Sequence, residues 1–148
     1  LSVKVNFSLD KLARAAPIIM AQLINDVGDL VVTDTIKGAE RGVDQSNEPF
    51  KPLKAATIRS KTGQFPNRAL WDTGRMIEGM FLKKIATPAK LRALVALARD
   101  RVKIGGFHQT GDGNPTREWF PEKATPRISK SMRPLLRSAE NKLVKAVK

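Results

Sequence analysis

The sequence predicts an α+β chain, with a long helix at the start, strands in the middle and a helix at the end. Three observations carry this. Apolar residues recur at steps of three and four from Leu9 to about Lys37. They do so again from Ile128 to Leu143. Between these regions, two apolar runs flank the turn signal "TPAK". With 148 residues, 41% of them hydrophobic, the chain suits a single domain (1–148) with its own core.

Residues 2–7, "SVKVNF", alternate apolar and polar with a β-branched bias, which predicts a short strand. The N-terminal helix follows at 9–41, capped by Ser8 or Asp10. Leu9, Leu12, Ala16, Met20, Leu23, Val27, Leu30 and Val31 share one face. Pro17 predicts a kink or fresh start, and Gly38 and Gly42 predict the stop. Residues 42–70 read as an irregular basic loop with a possible helical turn at "LKAATIRSK". From Pro49 to Arg68 the segment carries Lys51, Lys54, Arg59, Lys61 and Arg68 and no acid, so it is a candidate contact arm.

Residues 71–121 form a β region with a motif segment. In "LWDTGRM", Asp72 and Thr73 can bond nearby backbone and Gly74 can take positive φ, which makes a turn. "MIEGMFLKKIAT" and "KLRALVALAR" read as a hairpin, and Val102–Ile104 as a third strand. A C-terminal helix at 125–147 starts with Thr125 as N-cap and Pro126 in the first position. Its face is Ile128, Met132, Leu135, Leu136, Ala139 and Leu143, with mostly basic residues opposite. Pro134 predicts a kink or restart.

Charge is the strongest compositional signal. Lys plus Arg number 27 against 14 acids, a formal +13. That favours an anionic partner such as nucleic acid, an anionic membrane or an acidic protein, set against a merely solvated basic surface. No uninterrupted apolar stretch approaches the roughly 18 residues of a spanning helix, and no apolar leader is visible at the start. No membrane partner is expected.

Enzyme chemistry finds little to stand on. The absence of cysteine excludes a disulfide framework, a thiolate zinc site and a cysteine nucleophile, and suits a reducing cytoplasm. His108 is the lone histidine. Asp112 and Glu118 lie near it in sequence but not at a recognised metal-ligand spacing. No G-x-S-x-G elbow is present, and "GDGNPT" lacks the lysine of a phosphate loop. Aromatics are 5%, too few for a base-stacking surface. The expectation is no catalytic residue, no metal and no cofactor. Trp119 and Phe120 beside Arg117 are either core or an interface anchor.

The order of segments is more specific than any one of them. "NEPFKPLKAATIRSK" supplies Pro52, Leu53 and Thr57. "LWDTGRM" supplies Leu70, Thr73, Gly74 and Arg75. "VKIGGFHQTG" supplies His108, Gln109 and Gly111, and "PTREWF" supplies Pro115, Arg117, Trp119 and Phe120. Over about residues 45–121 this resembles the phage virion morphogenesis family, the tail-completion proteins of Mu-like and related long-tailed phages. Here the "HQ" run is shorter and lacks a tyrosine seen in family members, and Pro121 follows the "WF" pair.

The resemblance implies a structural virion protein of the neck rather than an enzyme. It implies a long N-terminal helix packed on a small, mostly antiparallel sheet, with a C-terminal helix. It implies a self-assembled ring, expected to be a hexamer, around a DNA channel in the virion, assembled in the host cytoplasm. The expected neighbours are a head connector or adaptor and tail tube or terminator proteins. Thr73, Gly74, Arg75, His108, Gln109, Gly111, Arg117, Trp119 and Phe120 are its structural motif. Within it, "HQTG" is expected to close the sheet, and Arg117, Trp119 and Phe120 to pin a return strand. Lys51, Lys54, Arg59 and Lys61 are candidate partner contacts. The alternative reading is a basic nucleic-acid-binding module using the C-terminal helix.

Overall fold

The computed structural model describes residues 8–111 and 115–148. The strand expected at 2–7 and the turn holding Asp112 lie outside the described residues. Helix α1 spans Leu9–Arg41, where Ser8 Oγ accepts a hydrogen bond from the Lys11 amide. It ends at Gly42, whose φ of 74° is left-handed and whose amide bonds back to Ala39 and Gly38 carbonyls. The helix neither restarts at Pro17 nor stops at Gly38. Pro17 removes a single donor inside a helix whose remaining turns are intact, and Gly38 stays helical. Gly38 is small for another reason: a Cβ there would come 2.9 Å from Arg127 Nη2.

The buried stripe of α1 also differs from the face read in the sequence. It runs through Ala21, Gly28 and Thr35, two turns apart each time, and on to Gly38 and Ala39. Leu9 is 70% exposed, and Met20 is exposed too. Small residues let neighbouring elements approach closely. Leu82 lies where a Gly28 side chain would be. Averaged over 18 residues, α1 reaches a mean hydropathy of 1.4, so it is long and apolar enough to cross a membrane by length and composition alone. Counting uninterrupted apolar runs misses this. Only 11% of that window is buried, so α1 keeps apolar surface uncovered by its own described chain.

The next elements are short. Helix α2 is Ala55–Ser60, where "LKAATIRSK" offers a helical turn within the irregular segment, and α3 is Arg75–Glu78. Strands β1, Met80–Lys84, and β2, Leu94–Leu97, pair antiparallel with Phe81 opposite Ala96 and Leu82 opposite Val95. Thr87 and Lys90 exchange backbone hydrogen bonds, so "TPAK" makes the turn its composition predicts. The first strand begins later than expected because Met76–Glu78 belongs to α3. Asn25 of α1 fixes the hairpin by a two-way amide contact with Ala86, donating to its carbonyl (3.0 Å) and accepting from its amide (2.7 Å).

Val102–Ile104, expected as a strand, is helical. A 3-10 turn at Arg99–Arg101 leads into α4, Val102–Thr110. The β-branched start favours a strand locally. Packing overrides it, because only a helix turn sets Gly105 flat against Leu97 and Trp119.

Helix α5 spans Pro126–Ala146, with Thr125 Oγ1 accepting from the Ile128 amide, and passes Pro134 unbroken. It runs antiparallel to α1. Arg127 pairs with Asp34 (2.8 Å) near one end, and Lys142 reaches Gln22 (2.9 Å) near the other. Ile128 and Ala139 are buried against it, while Leu136, expected inward, is 47% exposed. The protein is therefore α+β, with a long N-terminal helix on a two-stranded antiparallel sheet and a C-terminal helix alongside. Its core gathers Ala39, Leu70, Trp71, Met76, Ile77, Met80 and Trp119.

Two adjacent glycines of α4 make opposite predictions. A Cβ on Gly105 would meet Leu97 Cδ1 at 2.5 Å and Trp119 Cζ2 at 3.0 Å. Gly105→Ala is expected to destabilise the fold by about 1–3 kcal/mol through overpacking. Gly106 has nothing within 4 Å, so Gly106→Ala should stabilise by up to about 1 kcal/mol through helix propensity. Urea unfolding of both variants checks the sign of each.

Candidate functional site

The motif residues, remote in sequence, meet in one place. Gly74 takes φ 82° and starts α3. It is buried, and a Cβ there would press on Trp71 (3.2 Å) and the Glu78 carboxylate (2.9 Å), so the turn requires glycine at this position. Thr73 and Arg75 on either side are exposed. His108 and Gln109 lie on the last turn of α4, which Gly111 closes with a left-handed φ of 79°. "HQTG" thus ends a helix and does not close the sheet.

Nor is there a return strand. Residues 115–119 run without regular structure among the described residues, and side chains do the work of a ladder. The Arg117 amide donates to the His108 carbonyl (2.8 Å). Gln109 Nε2 donates to the Phe120 carbonyl (3.0 Å), and Gln109 Oε1 accepts from the Phe120 amide (3.1 Å). One carboxamide therefore satisfies both backbone groups of Phe120, as a paired strand would. Gln45 Nε2 donates to the Trp119 carbonyl. Trp119 itself is 2% exposed, its Nε1 donating to the Gly105 carbonyl (3.2 Å). It is core of its own chain. Phe120 packs edge-on against it at 5.8 Å between ring centroids.

The basic segment does not extend as an arm; it folds onto its own domain. Lys61 Nζ donates to the carbonyls of Phe65, Arg68 and Trp71. Asp72 Oδ1 accepts from the Gly63 amide (2.7 Å), and Phe65 packs edge-on against Trp71. The desolvated ammonium and the freed carbonyls of a turn satisfy one another, which draws the loop inward. Lys51, Lys54 and Arg59 remain exposed.

Between this loop, α3 and α4 lies an open cavity of about 500 Å³. Lys54, Lys61, Arg75, Arg101, His108 and Arg117 bring positive or titratable groups to it, against one acid among the described residues, Asp72. Trp71, Met76 and Ile104 add apolar wall. Burial holds the Lys61 ammonium below its ordinary value; Asp72 opposes this and Arg117 reinforces it. Burial, then the charges of Arg117 and Lys61, push the His108 imidazole down from 6.5. Burial also lowers the Arg117 guanidinium.

His108 Nδ1 is buried with no hydrogen-bond partner among the described residues, where a triad would place an orienting carboxylate. Two cations nearby oppose the imidazolium a general base must form. Among the described residues, no group of three His, Asp or Glu is placed to hold a metal ion.

Sequence reasoning missed Asn25, Gln45 and Gly105, each of which holds a remote segment in place. Carboxamides in loops and helices carry no sequence signal for such a contact. The "GG" pair in α4 was a signal for close packing. Set against known protein families, curated proteins and solved structures, the chain matches none of them.

Gln109→Leu removes both bonds to Phe120 and should cost about 1–3 kcal/mol for the half-buried backbone groups left unpaired. Gln109→Glu keeps the acceptor but sets a carboxylate against the Phe120 carbonyl, and should cost at least as much at neutral pH; chemical denaturation compares the two. For His108, the folded state favours the neutral ring. Between the depressed folded pKa and the unfolded value near 6.5, the unfolded chain binds more protons. Stability therefore rises with pH across that window and is lost as pH falls below about 6.5. Subtracting the His108→Gln stability profile from the parent profile between pH 5 and pH 7.5 should leave that slope; a flat difference would refute it.

Proposed function

We propose that this chain is a structural virion protein of the phage neck. In this reading it completes the tail and joins it to the head as part of a self-assembled ring around the DNA channel. The observation that carries it is the contact between motifs. Gln109 of the "HQ" segment holds the backbone of Phe120 in the "WF" segment, and the Arg117 amide donates to the His108 carbonyl. Gly74, Gln109, Trp119 and Phe120 of the motif are thus packing and wiring residues. That is what a structural role asks of a motif and not what catalysis asks.

Self-assembly is supported by uncovered apolar surface. Ile18 of α1 (60% exposed) and Phe81 and Leu94 of the hairpin face outward. Among the described residues the sheet has two strands and both its edges are open to pairing with another strand. A second copy of the chain is the partner that covers such surface at fixed stoichiometry. A hexameric ring, the connector, adaptor, tube and terminator neighbours, and a virion location assembled in the host cytoplasm follow from the resemblance as parts of the proposal.

The nucleic-acid reading has one observation in its favour. Lys130, Arg133, Arg137 and Lys145 line an open, exposed face of α5. The two readings separate in a single preparation. Sedimentation velocity and negative-stain imaging of the purified chain should show a closed oligomer. Particles made without the chain should accumulate as unjoined heads and tails. A strict monomer that binds duplex DNA with a steep salt dependence would overturn the neck reading in favour of the basic module.

A further inference from the structure

Arg117 is 4% exposed, yet it has no carboxylate partner among the described residues. Its Nη1 donates to the Pro115 carbonyl at 3.2 Å and its Nη2 to the Lys51 carbonyl at 3.4 Å. Its Nε is buried and unpartnered. A guanidinium has five N–H donors, so among the described residues most of its capacity is unspent. Isolated buried charge is costly, and a buried arginine is ordinarily paired. This one lines the cavity of about 500 Å³ together with Lys61, Arg75 and Arg101.

We propose that this cavity is a receptor for a carboxylate carried on an apolar peptide segment of a partner protein, with Arg117 as the carboxylate anchor. The chemistry follows from the walls. Arg117 offers the fork geometry that carboxylates accept. Lys61 holds its charge nearby while its hydrogens go to three backbone carbonyls, so it sets the field without competing for the ligand. Arg75 and Arg101 bring further positive charge to the lining, and Arg101 is shared with Asp100 at 3.1 Å. Trp71, Met76 and Ile104 give apolar surface to the residues flanking an acidic side chain. A duplex phosphate backbone is convex and cannot enter a cavity of this size to reach a guanidinium that is 4% exposed. Asp72 brings one negative charge against Lys54, Lys61, Arg75, Arg101 and Arg117, so the described lining keeps a net positive balance.

The test uses the full chain and does not depend on ring formation. Acetyl-leucyl-glutamyl-leucine amide is titrated into the protein while the His108 ring signals are followed by NMR. Saturable shifts are expected, with affinity lowered about tenfold or more when glutamine replaces glutamate in the peptide, the usual scale for one charged contact. Arg101→Gln lies at the cavity wall outside the core and should weaken binding while leaving thermal stability unchanged. Arg117→Lys keeps the charge but loses the fork and should weaken it further. Inorganic phosphate is the comparison probe. Saturation by phosphate with no response to the peptide overturns the assignment, and so does equal binding of the glutamate and glutamine peptides. A chain that binds the peptide but stays monomeric keeps this proposal and removes the ring.

Discussion

The fold hangs on one tryptophan seated against one glycine. Trp119 can reach the core only because Gly105 presents bare backbone to its ring and a carbonyl to its Nε1. That contact requires α4 to be a helix, places His108 and Gln109 on its last turn, and brings residues 115–120 across the domain. From there Trp119 joins Leu70, Trp71, Met76, Ile77 and Met80, which links the loop, α3 and the first strand to a single core. Burying a ring of this size is a large apolar gain. The polar edges of the segment that carries it must still be satisfied, and Gln45 and Gln109 do so.

The parts legible in the sequence were those whose signal is local. The long helix, its cap at Ser8, the "TPAK" turn and the Thr125–Pro126 start follow from spacing and end chemistry. Gly74 was legible as a positive-φ turn because glycine has little other reason to follow Asp-Thr. What stayed hidden depends on partners far along the chain. Val102–Ile104 reads as strand by its β-branched ends and becomes helix through contacts with Leu97 and Trp119. The prolines at 17 and 134 read as kinks or restarts, yet each lies within one continuous helix, and α1 and α5 pack on each other. The buried stripe of α1 was misread because its contact residues are small, while a periodicity count gives weight to large ones.

For the candidate site, the residue identities were legible and their roles were not. Thr73, Gly74, Arg75, His108 and Arg117 do come to one cavity, but Gln109, Trp119 and Phe120 turn away from it into packing. Lys61, read as an outward contact, spends its ammonium on carbonyls of its own loop. The sequence shows a run of like charges; only the fold shows which of them are buried. Lys51, Lys54, Arg59 and most cations of α5 are exposed, whereas Arg117 is buried and Lys61 half-buried at the cavity.

Asn25, Gln45 and Gln109 have a consequence beyond geometry. All three tie remote backbone together with uncharged amides, in a chain whose formal charge is +13. Counterions screen exposed charges within about 10 Å at 0.1 M salt but leave neutral hydrogen bonds almost untouched. The internal scaffold and the charged exterior therefore answer to different solution variables. Ionic strength can retune what this protein holds on to without loosening the frame that does the holding.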